Sequence, residues 1–469
     1  MPPRGSGPRE AAFRHIRFLA ALKPARMNLS LVNVSALFGR LGDPQRAYPS
    51  VLVAGTNGKG SVTTYVSSML RAAGLRVGTF YSPHIVRLHE RIRLNGDEIP
   101  SAEFDELIGA VRDAAARRDS GGGTGASRRR GAAAGGSSTA ELGPRARIPF
   151  TYFECLTASA ALYFFRSRVD VAVFEVGLGG RLDATNLVDA VVTVITGISF
   201  DHREHLGMTK GRILAEKLGI VRAGVPLVAN LGSASLEAKA RAWCEARGAP
   251  FHLVGDEVGA EPVHVSLKRM TVRIVTPERD YGRLETRMIG RAQVGNLAAA
   301  TRVVELLAGR IPRAPGLRAV RAGARSAFLP GRFQVVREAP RVVVDVAHNE
   351  ESLLASLDTL RSVSPGRRNI LVFAALAHKE LGRFPREALR SAREIIVTPL
   401  ADPRGSSAGR LLGAFAAARR GTRTGRAIVK AAGGVATAVR MAERAARPED
   451  TIVILGSHHT VDEAAASIR

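Results

Sequence analysis

The stretch VLVAGTNGKGSVTTY, residues 51–65, limits what this chain can fold into more than any other segment. The run VLVAG is apolar and ends in glycine, the pattern of a short buried strand. SVTTYVSSMLRAAG then places Val62, Val66, Met69 and Leu70 on one face of a helix that Gly74 stops. A glycine-rich turn between strand and helix aims backbone N–H groups at an anion, and the helix dipole adds to their pull. Lys59 supplies a positive charge for the outer phosphates. Gly55, Thr56, Asn57, Gly58, Lys59, Gly60 and Ser61 are therefore the expected nucleotide loop. The register is unusual. The common phosphate loop reads G-x-x-x-x-G-K-[ST], whereas position 53 is Val and Gly60 separates Lys59 from Ser61. The competing reading is an ordinary glycine-rich turn, and the Gly-Lys pair between strand and helix weighs against it.

Strand and helix patterns alternate beyond this loop, which implies α/β layers with a largely parallel sheet. RVGTFYS reads as a strand running into Ser82, and SAEFDELIGAVRDAAARR as a helix. TYFECLTASAALYFFRSR is a buried helix, while DVAVFEVG and AVVTVIT are nearly continuous apolar runs that fit central strands. VPLVAN, FHLVG and the stretch from Val263 to Val275 continue the β content, QVGNLAAATRVVELLAG is a helix, and residues 311–328 are a connector with room for a short helix. From Phe328 a second α/β set begins, with strands in RVVVDVAHN, NILVFAAL, EIIVTPL and TIVILGS. The expected domains are residues 1–326 and 327–469, the second smaller and Rossmann-like, with a cleft between them that suits a ligand. Residues 119–147 are rich in Gly, Ser and Ala, carry Arg128, Arg129 and Arg130, and bury little apolar surface; they are expected to form a disordered insertion.

The formal net charge of +26 suggests a polyanionic partner at first. However, only eight of the 68 basic residues are Lys, and Arg is spread along the whole chain. No basic segment is interleaved with aromatic residues to stack bases, so a dedicated nucleic-acid role is disfavoured, while acidic metabolites remain attracted. Cys155 and Cys244 lie far apart and suit a reducing compartment. The basic N-terminal stretch is interrupted by Arg14, His15 and Arg17 and makes a poor signal peptide. No apolar run reaches the ~18 residues of a membrane span. A cytoplasmic protein without a membrane partner is expected.

Open α/β sheets place their sites at the carboxyl ends of strands. Ser82, Glu175 and His202 each follow a strand, and hard divalent metals take oxygen ligands with an occasional imidazole. Lys217 sits in ILAEKLGIVRAGVP, where a solvated helix face is the ordinary reading. In VDVAHN, Asp345, His348 and Asn349 lie at a strand end, able either to close over a nucleotide or to cap the next helix.

The segments LGDPQ, VAGTNGKGS, YSPHIVRLHERIRLNG, TYFE, EVGLGGRLDATN, ISFDHREHLG, AEKLGI, PGRFQ and DVAHN, in this order and spacing, resemble the folylpolyglutamate synthase/dihydrofolate synthase family of the Mur ligase superfamily. The resemblance spans nearly the whole chain outside 119–147, and GTNGKGS is that family's own loop. It implies a P-loop-type N-terminal domain, a Mur ligase C-terminal domain, and an ATP-dependent ligase. ATP would phosphorylate the carboxylate of a pterin-containing acid, and the amine of L-glutamate would attack the acyl phosphate. Gly58, Lys59, Gly60 and Ser61 would cradle phosphates. Ser82, Glu175 and His202 match magnesium ligands, and Lys217 matches a lysine that the family carbamylates. Asn296, Arg332 and Asp345 match nucleotide contacts, with His348 beside them. Thr151, Tyr152, Phe153 and Glu154, together with Leu182, Asp183 and Ala184, match segments that contact dihydropteroate, and Asn28, Leu29 and Ser30 resemble a third. Need for a monovalent cation stays open, and a monomer is expected.

The chain departs from the family at several places. Ala292-Gln293 stands for a His-Gln pair, His378-Lys379-Glu380 for Asp-Lys-Asp, and Gly456-Ser457-His458-His459 for Gly-Ser-Leu-Tyr. An acidic residue and Gly are usual near Asn28. A muramyl-peptide ligase and a nucleotide-binding pseudoenzyme are the alternatives. DATN and TYFE favour the folate branch over the first, and the intact Lys59, Ser82, Glu175, His202 and Lys217 speak against the second. An RNA-tethering role for the insertion is a weaker third.

Overall fold

A computed structural model of the chain describes residues 15, 18–19, 22, 30–117, 148–365, 368–420 and 427–468. The expected insertion at 119–147, and Asn28 and Leu29, lie outside the described residues.

The first sheet has eight strands: β1 (Ser50–Ala54), β2 (Val77–Phe80), β3 (Ile92–Leu94), β4 (Asp97–Glu98), β5 (Val171–Glu175), β6 (Ala190–Ile195), β7 (Leu227–Ala229) and β8 (Phe251–Leu253). Their order is β4-β3-β2-β5-β1-β6-β7-β8. From β2 to β8 every pairing is parallel. The hairpin β3–β4 adds an antiparallel edge. Every residue of β1, β2 and β5 is buried, as a parallel sheet covered on both faces requires.

The region from Val263 to Val275 differs from a simple continuation of that sheet. It belongs to a separate antiparallel sheet of β9 (Gly259–Val265), β10 (Met270–Val275) and β11 (Asp280–Thr286), with β10 central. The third sheet is the core of the C-terminal α/β domain. It contains β12 (Gln334–Glu338), β13 (Arg341–Asp345), β14 (Asn369–Phe373), β15 (Glu394–Val397), β16 (Ile428–Ala431) and β17 (Thr451–Leu455), in the order β12-β13-β17-β14-β15-β16. Only the edge strand β12 runs antiparallel.

The helix after the glycine loop spans Lys59–Ala72 and is buried on all sides from Gly60 to Leu70, beyond the single apolar face that its sequence predicts. It lies between the first sheet and the helices Arg291–Leu306 and Leu317–Ser326. The second of these is the helix expected within the 311–328 connector. A Cβ added at Gly323 would come within 2.4 Å of the Met69 Cα, so the two helices meet backbone to backbone. The glycine loop is therefore mounted on a helix packed on both sides. Among the described residues no helix is long and apolar enough to cross a membrane.

Candidate active site

Four neighbouring parallel strands, β2, β5, β1 and β6, end on one side of the first sheet. They carry Ser82, Glu175, the loop Gly55–Ser61 and His202, in that order across the sheet. The spacing of these residues in sequence becomes adjacency through the crossovers. The loop is pinned to the segment after β6: Thr56 N–H donates to the Gly197 carbonyl at 2.9 Å, Ser199 N–H donates to Thr56 Oγ1 at 3.1 Å, and Thr196 Oγ1 donates to the Asn57 carbonyl at 2.6 Å. Gly55 has φ 150°, and a Cβ there would lie 2.0 Å from Thr196 Oγ1, so only glycine fits. Gly58 is the N-cap of the helix that begins at Lys59.

Lys59 Nζ donates back to the carbonyls of Gly55 at 3.2 Å and Thr56 at 3.1 Å. Lys217 Nζ donates to the same Gly55 carbonyl at 2.8 Å. Lys217 is 3% exposed, which overturns the solvated-face reading. Burial first, and then the Lys59 charge, lowers its ammonium from 10.5 to about 7, against the pull of Asp201 and Asp183.

Glu175 is buried and its Oε2 accepts the Ser82 N–H at 3.1 Å. Burial raises its carboxyl, while Lys59, the Ser82 N–H, Arg332 and Arg91 pull it down. His202 has a left-handed backbone, φ 49°, and a part-exposed side chain. Its imidazole is lowered to about 4 by burial first; Asp201 opposes this, and Lys379 and Lys59 add to it. Among the described residues no three His, Cys, Asp or Glu side chains gather into a metal cluster. The expected set holds two such side chains, Glu175 and His202, with the Ser82 hydroxyl as a third donor. A buried carboxylate with a hydroxyl and a neutral imidazole fits a hard divalent ion better than a soft one.

The C-terminal domain closes the other side. Arg332 lies beside Gly60 and is lowered by burial, while Asp345 and Glu175 hold it up. The Asp345 carboxylate accepts Ala347 N–H at 3.0 Å and the Ser356 hydroxyl. Asn349 caps the next helix, one of the two readings that the sequence left open, and also reaches the glycine loop. Its Oδ1 accepts Ser352 N–H at 3.0 Å, capping the helix Glu350–Val363, and its Nδ2 donates to Asn57 Oδ1 at 2.9 Å. Asn296 packs against Gly58 and donates to Gln293, whose amide donates to Ser61 Oγ at 3.2 Å. Gln293 thus reaches the loop although Ala292 replaces the usual His.

A model of the Mur ligase middle domain matches residues 132–304, and one of the Mur ligase glutamate ligase domain matches residues 331–458. The Escherichia coli (strain K12) dihydrofolate synthase/folylpolyglutamate synthase is 32% identical over 450 residues, 95% of this chain and 93% of that one. The chain belongs to this family. A relative in Mycobacterium tuberculosis with the same description is 33% identical over 363 residues, 76% of this chain and 71% of that one. The solved structure of E. coli FolC in complex with DHPP and ADP superposes with a TM-score of 0.80 at 29% identity, covering 100% of this chain and 99% of that one. The Yersinia pestis bifunctional enzyme, complexed with AMPPNP and Mn ion, gives 0.77 at 29% identity with full coverage of both chains. As a family member the chain has the Mur ligase fold and is an ATP-dependent acid–amino-acid ligase.

The segments that resemble the family's pterin contacts lie beside the strand end that carries Glu175, where Phe153 meets Gly177. Thr151 and Glu154 form a reciprocal capping box at the start of the helix Tyr152–Arg166. One oxygen of Glu154 accepts Thr151 N–H at 2.6 Å; the other is buried and has no hydrogen-bond partner among the described residues. The buried Arg91 lies over the Tyr152 ring at 5.7 Å and donates to His84 Nδ1 at 2.8 Å. Phe153 packs against Gly177. Asp183 accepts from Leu178 N–H at 2.8 Å, Thr185 N–H at 3.0 Å and Thr185 Oγ1 at 2.5 Å, so it shapes the loop between Leu182 and Ala184 from within. Ser30 accepts Val32 N–H at 3.2 Å at the entry to the helix Val32–Arg40.

Sequence reasoning missed Arg91, Asn57's pairing with Asn349, and above all Asp201 and Lys379. Asp201 stands beside His202 in ISFDHREHLG, and Lys379 is one of only eight lysines. Those two signals were present, but neither shows that the side chains meet.

Proposed function

We propose that this chain uses ATP to join L-glutamate to dihydropteroate, to a reduced folate, or to both. The observation that carries the reading is the convergence of the phosphate loop, Ser82, Glu175 and His202 at four adjacent strand ends, faced by Arg332 and Asp345 of the C-terminal domain. The pterin acid lies along the Tyr152–Glu154 and Leu182–Ala184 segments in this reading. Its carboxylate oxygen attacks the γ-phosphorus and ADP leaves, giving an acyl phosphate. The glutamate amine attacks the acyl carbon, loses a proton, and phosphate departs from the tetrahedral intermediate. Little covalent work falls to the protein. The loop N–H groups and Lys59 stabilise charge on the transferring group, and Arg332 adds a cation from the opposite side. Ser82, Glu175 and His202 would hold a magnesium ion, which when bound neutralises phosphate charge.

Lys217 is proposed to be carbamylated. A neutral amine attacks CO2 to give a carbamate and a released proton, and an ammonium held near 7 leaves a substantial neutral fraction at neutral pH. The product anion favours a nearby metal where the original cation opposes it. The two free, buried cysteines agree with a cytoplasmic setting. The reading includes a monomer and a domain boundary at residues 326/327. It is tested by ADP release with dihydropteroate plus glutamate, set beside tetrahydrofolate plus glutamate. Glutamate-dependent release with at least one acid supports it, and release with neither removes it.

A further inference from the structure

Asp201 gathers groups from both domains around one carboxylate. It stands in the segment after β6, just before His202, and its side chain is 9% exposed. Oδ1 accepts the His202 N–H at 2.9 Å and the Lys379 ammonium. Oδ2 accepts His348 Nε2 at 3.2 Å and Asn349 Nδ2 at 3.5 Å. His348 and Asn349 follow β13, and Lys379 follows β14, so three of the four donors come from the C-terminal domain. Lys379 is 8% exposed, and among the described residues Asp201 is its one acidic partner. A buried ammonium deprived of its counter-charge is strongly disfavoured. Burial alone would raise the Asp201 carboxyl, but the hydrogen bond and charge of His348, with His202 and Lys379, hold it well below the usual range.

Two further contacts run alongside. Asn57, within the nucleotide loop, exchanges amide hydrogen bonds with Asn349 and donates to Glu351 Oε2 at 3.0 Å. Arg203 pairs with Glu380 at 2.9 Å, with the Glu380 end exposed. An exposed pair contributes little. Of these three polar contacts the one at Asp201 is the most buried, and it works beside the apolar packing of Ile85 and Leu267 on the C-terminal core.

We propose that Asp201 is a positioning residue, which docks the C-terminal domain against the nucleotide loop and holds Lys379 beside the site without itself touching substrate. This rests on the reading above that the loop and His202 form the nucleotide site. Its consequence is a division of effects. Nucleotide binding, which the N-terminal loop supports with Arg332 and Asp345 added from the C-terminal domain, depends on Asp201 less than the steps that need both domains.

The test uses the full chain and four variants: Asp201→Asn, Asp201→Glu, Lys379→Met, and Asp201→Asn with Lys379→Met. Circular dichroism checks folding, and Lys379→Met keeps the test alive if Asp201→Asn does not fold. Three readouts are taken: ADP affinity by titration calorimetry, steady-state kcat and KM for glutamate, and interdomain distance from a fluorophore pair on Ser235→Cys and Arg440→Cys. ADP affinity is expected to fall by about tenfold at most, and each single variant to lower kcat/KM for glutamate by about 100-fold, with a longer, broader interdomain distance. The double variant should fall no more than about threefold below the singles, and Asp201→Glu should recover about tenfold over Asp201→Asn. Single effects that multiply in the double variant would overturn the proposal, as would an unchanged interdomain distance in Asp201→Asn. Loss of ADP affinity with the distance unchanged would make Asp201 a nucleotide contact instead. If the unsubstituted chain itself fails to bind ADP, the underlying site reading fails, while the distance measurement still reports on docking.

Discussion

The ammonium groups of Lys59 and Lys217 donate to one shared acceptor, the Gly55 carbonyl, at 3.2 and 2.8 Å. Burial first, and then repulsion by the Lys59 charge, drives the Lys217 ammonium down to about 7. The arrangement gives two lysines two different chemistries. Lys59 starts the loop helix and, in the proposed reading, offers a cation to phosphate. Lys217 offers a neutral amine, available for modification.

Lys59→Ala is expected to abolish turnover, by about 1000-fold or more, while leaving the fold intact. Among the described residues its hydrogen bonds run to carbonyls of its own loop, so the stability cost should be about 1 kcal/mol. Turnover and thermal unfolding measured on the same preparation check this. Near-wild-type ADP release from a folded variant would remove the phosphate-cradle role.

Lys217→Ala should be inactive and partly rescued by short-chain carboxylic acids, which restore an anion. Lys217→Arg should not be rescued, because it restores only a cation. The unmodified lysine also leaves a signature in stability. Its folded value, about 7, lies below the unfolded 10.5, so the unfolded chain binds more protons between these limits. In CO2-free buffer, stability should rise with pH from about 7 to about 10.5 and be lost as pH falls through 7, with a slope of at most about 1.4 kcal/mol per pH unit. Lys217→Met should flatten that slope. Denaturant melts across the window decide it.

Residues 119–147 should be replaceable by a short Gly/Ser linker at little cost in folding or kinetics. The described chain supports this at the flanks, where Ile148 N–H donates to the Ala115 carbonyl at 3.1 Å. The ends to be joined are already adjacent. A large rise in apparent KM on deletion would instead mark a binding loop. Loss of a steeply salt-dependent RNA affinity would mark a tether.

Most of the fold was legible because its central strands are apolar throughout and its helices carry clear periodicity. The strands that sequence reasoning missed are edge or exposed ones. β16 has an exposed Ile428 and no buried residue, and β12 has none either, so neither shows the apolar run of a central strand. β3 and β4 are three and two residues long, too short to carry a period. The site was legible where a motif puts chemistry in one segment, as at Gly55–Ser61. It was not legible where partners are distant in sequence. Asp201 meets Lys379 and His348 because the segments after β6, β13 and β14 come together at the domain junction. The sequence places Asp183 at the pterin acid by resemblance, and its position between Leu178 and Thr185, whose N–H groups its oxygens accept, is a contact that the sequence does not show.

Asp183→Ala therefore has a defined expected outcome. It leaves the N–H groups of Leu178 and Thr185 without their acceptor, costing about 1–3 kcal/mol of stability. It should raise KM for the pterin acid by about tenfold or more while ATP affinity stays within about twofold. Kinetics with each substrate varied in turn, beside a nucleotide titration, separate the two effects. Equal losses for ATP and acid would contradict a role confined to the acid side.

The central claim is that a pterin acid is activated here and captured by glutamate. The most direct measurement is glutamate-dependent phosphate release from ATP with dihydropteroate, and separately with a tetrahydrofolate, on the purified full chain with Mg2+. A site that hydrogen-bonds a pterin should reject acids that leave its buried polar groups unpaired, so UDP-muramyl peptides serve as the control. The account predicts release with dihydropteroate, with tetrahydrofolate as a further substrate, and none with the control. Release with tetrahydrofolate alone would confine the enzyme to polyglutamylation. Release with neither pterin acid, from a protein that still binds ATP, would contradict the account.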